Sequence, residues 1–271
     1  MQAKQYKVID IHTHIFPDKI ALKAVDVIGK YYGVPMAGAG TVDGLLENGS
    51  KIGVSKYVVH SSATTVGQVM AINDYVFGVQ STHDNLLGFG TLHPDLEDAK
   101  SEVSRIKSMG LHGIKLHPEF QGFYIDAPAM LPVFDAIRGK LPVLIHMGDE
   151  NKDSSSPARL SRILDMFPDL VVIAAHFGGY SVWDESMKYL IGRNIYMDTS
   201  SSLAFLSPDK ATEMIRKHGV EKMLFGSDYP MWDHEEELER FLKLDLSEAE
   251  REAILYDNAQ KLLSRFSSLP D

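Results

Sequence analysis

Eight short runs of β-branched and apolar residues recur along the chain, and helix-length amphipathic stretches alternate with them. Parallel strands need a long crossover, and a helix supplies it, so this alternation predicts repeated βα units. The runs are KVIDIHTHI (7–15), KYVVHSS (56–62), LLGFGTLHP (86–94), HGIKLHP (112–118), PVLIHMG (142–148), LVVIAAHFG (170–178), NIYMDTS (194–200) and MLFGSDYP (223–230). Helical patterns fall near 18–31, 42–53, 66–82, 96–109, 128–138, 157–167, 181–191 and 207–218, with 234–243 and 247–265 after the last run. With His14, Ser62, His93, His117, His146, His176, Thr199 and Asp228 as strand ends, the intervals are 48, 31, 24, 29, 30, 23 and 29 residues. Six of the seven fit one strand, one helix and two short loops. The longest contains YYGVPMAGAG (31–40), whose glycine and proline breaks predict an irregular loop after the first helix. Eight units predict a closed (β/α)8 TIM barrel, a single domain over residues 1–271, since such barrels take roughly 250 residues. An open doubly wound sheet would give much the same string.

Composition removes several function classes. Lys plus Arg is 27 against 37 Asp plus Glu, a net charge of −10, which lacks the basic footprint of a nucleic-acid binder. Without any cysteine there is no disulfide, thiolate zinc site or cysteine nucleophile, so a metal must be held by nitrogen and oxygen. The segment MQAKQYKVID has no apolar core of a signal peptide, and no run of 18 apolar residues occurs, so neither export nor a membrane span is expected and the cytoplasm is the expected compartment.

The polar residues fall where chemistry is expected, since active sites of barrels are built at the C-terminal ends of the strands. In VIDIHTHIF, His12 and His14 are two residues apart on a strand and so point to one side, with Asp10 one step earlier. His146 ends the fifth run, His176 the sixth and Asp228 the eighth. Singly, each reads as a capped strand end or a turn. Together they gather imidazoles and a carboxylate on one face, which is costly to bury without a shared ligand.

The ordered set VIDIHTHIF, GIKLHPEFQGF, LPVLIHMG, VVIAAHFGG, NIYMDTSS, LFGSDYP and DNAQKLL resembles the amidohydrolase superfamily, within it the clade that includes aminocarboxymuconate semialdehyde decarboxylase. The resemblance spans nearly the whole chain. It implies that His12, His14, His146 and Asp228 surround a divalent metal, most often zinc, with His176 as an acid/base or polarising group. Bound to such an ion, water falls in pKa from 15.7 to about 7, and Asp228 could then accept its proton. The leading expectation is therefore a hydrolase of a small amide, ester or lactone. The alternative is a non-oxidative decarboxylase on the same residues. A TatD-type nuclease and a non-catalytic metal-binding barrel rank below both.

Lys115 and His117 share one side of the fourth run. Two-metal members of the superfamily use a carboxylated lysine there as a bridge, in which case His176 would join His146 on a second ion. The other reading puts Lys115 one layer deeper, paired with an acid such as Asp10. One metal is preferred, because the flanking sequence resembles the one-metal clade. Weaker substrate-binding candidates are His93, His117, Glu119, Phe123, Arg159, Tyr180 and Trp183, while His60 and His234 read as structural or surface residues. The expected partner is a small molecule. The apolar positions of 181–191 and 247–265 could pair two copies of the chain.

Overall fold

The computed structural model describes residues 5–266, so residues 1–4 and 267–271 of the expected domain lie outside it. Eight parallel strands follow one another in sequence order: β1 Val8–His14, β2 Val54–His60, β3 Leu86–Thr91, β4 Gly113–Leu116, β5 Val143–Ile145, β6 Val172–Ala174, β7 Tyr196–Asp198 and β8 Met223–Leu224. Between them and after them run α1 Asp18–Tyr32, α2 Val42–Ser50, α3 Val69–Gln80, α4 Ala99–Ser108, α5 Pro118–Gln121, α6 Leu131–Ile137, α7 Pro157–Met166, α8 Trp183–Tyr189, α9 Pro208–His218, α10 His234–Leu242, α11 Glu248–Glu252 and α12 Asn258–Ser264. The fold is the expected (β/α)8 barrel. It is nearly closed: beyond the short β8 the chain stays beside β1, with Ile11 donating to the Phe225 carbonyl (3.0 Å), Asp228 to that of His12 (2.9 Å) and His14 to that of Tyr229 (2.7 Å).

The strands are shorter than the apolar runs, because the polar residues that end each run leave the ladder for the barrel mouth. One apolar cluster lies inside the strands, built from Ile9, Ile11, Val58, Phe89, Leu144, Ile173 and Leu224, and α12 packs against it through Ala259, Leu262 and Leu263. A larger cluster joins the other strand faces to the surrounding helices. Helix starts follow local chemistry: Ser207 caps α9 ahead of Pro208, Asp233 caps α10, and Ser247 with Glu250 forms a capping box on α11. The helical pattern expected at 247–265 runs from Glu248 to Ser264 with a π turn at Ala253–Asp257, whose Ile254 carbonyl accepts from Phe225 N–H at 3.0 Å. No helix among the described residues is long and apolar enough to cross a membrane.

One local departure corrects the reading of β1. Its register against β2 shifts between Asp10 and Thr13, so the two-residue alternation breaks there. His12 turns toward Lys115 and Asp198, while Asp10 turns away to Ser227 and to His234, whose Nε2 lies 3.0 Å from its Oδ2. Asp10 does not share the direction of the two histidines.

Candidate functional site

The mouth of the barrel carries a continuous group of imidazoles from β1, β2, and the ends of β4, β5 and β6. His12 is the most constrained. Its Nδ1 lies 2.9 Å from Asp198 Oδ2 and its Nε2 lies 2.8 Å from Lys115 Nζ and 3.4 Å from Asp228 Oδ1. Asp198 Oδ1 also accepts from Ser200 Oγ, Ser200 N–H and His176 N–H, which fixes the carboxylate. A carboxylate only accepts, so Nδ1 of His12 carries the proton and Nε2 presents a lone pair to the mouth. His14 Nε2 lies 3.2 Å from the same Asp228 Oδ1, and Ser201 Oγ donates to Oδ2.

The sixth and fifth strands supply a second pair. His176 Nε2 and His146 Nδ1 are 3.0 Å apart, and His176 Nδ1 faces the Ser200 carbonyl at 3.1 Å. Across the mouth, the His117 and His146 rings stack with centroids 4.0 Å apart, and Tyr32 Oη lies 3.3 Å from Nε2 of each. Glu119 accepts at Oε1 from Ser155, while its buried Oε2 has no partner and faces His117 and His146 at 3.7 and 3.9 Å. Among the described residues five non-glycines have positive φ, and four of them, His176, Phe177, Ser201 and Asp228, stand here. Backbone held in that region marks sites where geometry is imposed by function.

Charge follows from burial. Desolvation, then the neighbouring Lys115 and imidazoles, keep His12 well below the ordinary histidine value, and burial keeps His14, His117 and His146 low as well. Burial pushes Lys115 down to about 8 and Glu119 up to about 7. For Asp228 burial acts upward, but the hydrogen bond from His14 and the nearby His176 outweigh it and hold the carboxyl well below its usual range. Neutral imidazoles around an ionised carboxylate form a donor set that fits a divalent cation. The facing acceptors, His12 Nε2 and Asp228 Oδ1, are the specific sign of it. Among the described residues three side-chain groups could hold an ion: His12 with His14 and His60, His12 with His176 and Asp198, and His117 with Glu119 and His146.

The other sequence candidates spread out. Tyr180 and Trp183 border His176, the Tyr180 ring at 5.9 Å and the Trp183 indole N–H on the His176 carbonyl. Arg159 is bound to Asp126 and Asp153 over the Tyr124 ring, away from the imidazoles. Phe123 belongs to the apolar core, and the His93 ring accepts from Asp95 N–H. Lys115 does not reach Asp10; it meets His12. Two residues escaped the sequence reading. Asp198, one step before the residue taken to end β7, orients His12, and His60, read as structural or surface, lies beside His12 and His14.

Two spaces open at the mouth. The inner one, about 30 Å³, lies among His14, Tyr32, His117, His146 and Asp228. The outer one, about 720 Å³, shares His14, Ile28, His117 and Phe120 with it and runs between α1 and α3 along Phe16, Val27, Ile72 and Tyr75.

The family model for amidohydrolases, Amidohydro_2, matches residues 9–265. The chain belongs to the amidohydrolase family. A curated relative, Decarboxylase orsB of Emericella nidulans, is 29% identical over 160 residues, which are 58% of this chain and 44% of that one. The chain therefore aligns with less than half the length of that relative. Its fold matches 5-carboxyvanillate decarboxylase LigW from Sphingomonas paucimobilis (TM-score 0.72, 16% identity, 95% and 99% of the two chains). It also matches dihydroxybenzoic acid decarboxylase from Polaromonas sp. JS666 with bound manganese and 2-nitroresorcinol (TM-score 0.74, 16% identity, 96% and 97%). A TIM-barrel protein from Bordetella bronchiseptica gives 0.77 at 20% identity over 97% and 100%. These findings overturn the expectation of a hydrolase of an amide, ester or lactone and favour the decarboxylase alternative. The motifs could not separate the two, because both chemistries draw on the same side chains.

Proposed function

We propose that this protein is a metal-dependent, non-oxidative decarboxylase of a small acid with a flat apolar body, such as an aromatic acid. The observation that carries the reading is the pairing of the two spaces. The inner one is on the scale of a carboxylate and bordered by His14, His146 and Asp228, and the outer one is walled by apolar side chains and roomy enough for a ring. The curated relative's name supports the same chemistry.

In this reading His12, His14, His146 and Asp228 hold one divalent ion, with zinc or manganese as the candidates. Bound there, the ion would supply Lewis-acid anchoring for the oxygen atoms of the substrate. Phe16, Ile28 and Phe120 hold the apolar body and exclude water. The bond between ring carbon and carboxyl carbon breaks, carbon dioxide leaves, and the electron pair left on the ring carbon takes a proton. His176 is the group assigned to hold that proton, at Nε2, because its Nδ1–H is already committed to the Ser200 carbonyl. Lys115 stays uncarboxylated beside His12, and its positive charge helps keep the cluster of imidazoles neutral.

The test is carbon dioxide release from a panel of hydroxybenzoic and unsaturated acids with metal-loaded protein. The expected result is release from at least one ring acid, and a loss of about 10²-fold or more in kcat in His176→Asn with its metal content unchanged. Release from none of the panel would overturn the reading, and intact turnover in the variant would remove His176 from it.

A further inference from the structure

His60 ends β2 directly opposite His14 of β1, its register partner. The two rings meet edge-on with centroids 4.4 Å apart, and the His12 ring lies at 5.1 Å. The His60 side chain is wholly buried, yet neither ring nitrogen has a hydrogen-bond partner. An imidazole carries at least one N–H and, when neutral, one lone pair, and folded proteins rarely leave both unmet in the interior. The other imidazoles of the mouth are accounted for: His12 by Asp198 and Lys115, His14 by Asp228, His146 and His176 by each other, His117 by Tyr32. His60 alone among them faces the cluster with nothing bonded to it.

Nitrogens of His12, His14 and His60 lie within 4.8 Å of one another. Ligand nitrogens sit about 2.0–2.1 Å from zinc, so two on one ion are at most roughly 4.2 Å apart, and a small ring rotation closes the difference.

We propose that His60 is a further ligand of the divalent ion, so that β1 and β2 present three imidazoles, His12, His14 and His60, to it together with Asp228. The proposal rests on the metal-dependent reading above and goes beyond it, since β2 contributes nothing to the ligand set that the resemblance implies. It carries a consequence for metal choice. An added imidazole shifts the site toward zinc, because manganese favours oxygen ligands and nitrogen-rich sites favour the later metals.

The experiment measures zinc and manganese affinities by chelator competition on the full chain and on His60→Leu, with the visible spectrum of the cobalt-substituted forms recorded alongside. The expected result is zinc binding weakened by at least about tenfold in the variant, a smaller loss for manganese, and altered cobalt bands. The metal-free variant is expected to unfold at the same temperature or a higher one, because an unpartnered polar ring has been removed. Unchanged zinc affinity with unchanged cobalt bands would overturn the proposal and leave the metal-dependent reading intact. Failure of the unsubstituted chain to bind either ion would overturn both. Should His60→Leu fail to fold, His60→Gln, which retains a polar side chain of similar length, is read by the same criteria.

Discussion

The carboxyl of Glu119 lies beneath two neutral imidazoles, one oxygen bonded by Ser155 and the other bonded to nothing. Burial raises its pKa from an ordinary 4.5 to about 7, so in metal-free protein the folded chain holds this proton more tightly than the unfolded chain. The sign follows from linkage. The contribution is fully present below about pH 4.5 and is lost as pH rises through about 7, a total on the order of 3 kcal/mol. Urea unfolding of the metal-free protein between pH 5 and pH 8 is expected to show that decline, and Glu119→Gln to flatten it. Identical pH slopes in the two proteins would show that Glu119 is ionised throughout. The same residue was legible in the sequence only as a weak loop candidate, because nothing in PEFQGF reveals that its side chain folds back under the histidines.

Among the elements, the turn after β5 is the one with least room. Gly148 has φ +83°, and a Cβ there would stand 2.5 Å from the Tyr180 carbonyl oxygen and 2.6 Å from its nitrogen. Both contacts are backbone, so the turn cannot yield by rotating a side chain. Gly148→Ala is expected to cost about 2 kcal/mol or more in denaturant unfolding and to disturb the His146–His176 pair, read as a loss of turnover beyond the loss of fold. A stability within about 0.5 kcal/mol of the parent would contradict the geometry. The strands themselves were legible because barrel strands are covered on both faces and so read as unbroken apolar runs, with a polar residue marking each mouth. What one strand cannot state is its register against the next. The slip inside β1 removed Asp10 from the side of His12, and the pairing of His60 with His14 became visible only once β2 lay beside β1. Asp198 was passed over for a related reason: in MDTS three adjacent polar residues could each have ended the strand, and the choice depends on contacts with β1 and β6.

At the scale of the whole molecule, the shortest strand of the barrel lies at the join beside the candidate site. β8 has two residues, and closure onto β1 depends on the hydrogen bonds of Ile11, His14 and Asp228 beyond it. His12 and His14 lie on one side of this join and Asp228 on the other, so a bound ion would tie the two together. Zinc at a hundredfold excess over its dissociation constant should stabilise the fold by about 2.7 kcal/mol. Calorimetry is expected to show a melting temperature that rises with zinc and falls with chelator, and hydrogen exchange at the amides of Ile11, His14 and Asp228 to quicken when the ion is removed. A melting temperature indifferent to both additions would mean that no ion bridges the join. The join also sets an order in time. His12 and His14 are synthesised more than two hundred residues ahead of Asp228, which at ribosomal speeds of about 5–20 residues per second is on the order of ten to forty seconds. Throughout that interval the growing chain would carry the first two of the groups assigned to the ion and no last strand to complete the set. An ion held by all of these groups would therefore have to wait for the last strand, and a polypeptide released before it would carry most of the histidines without Asp228.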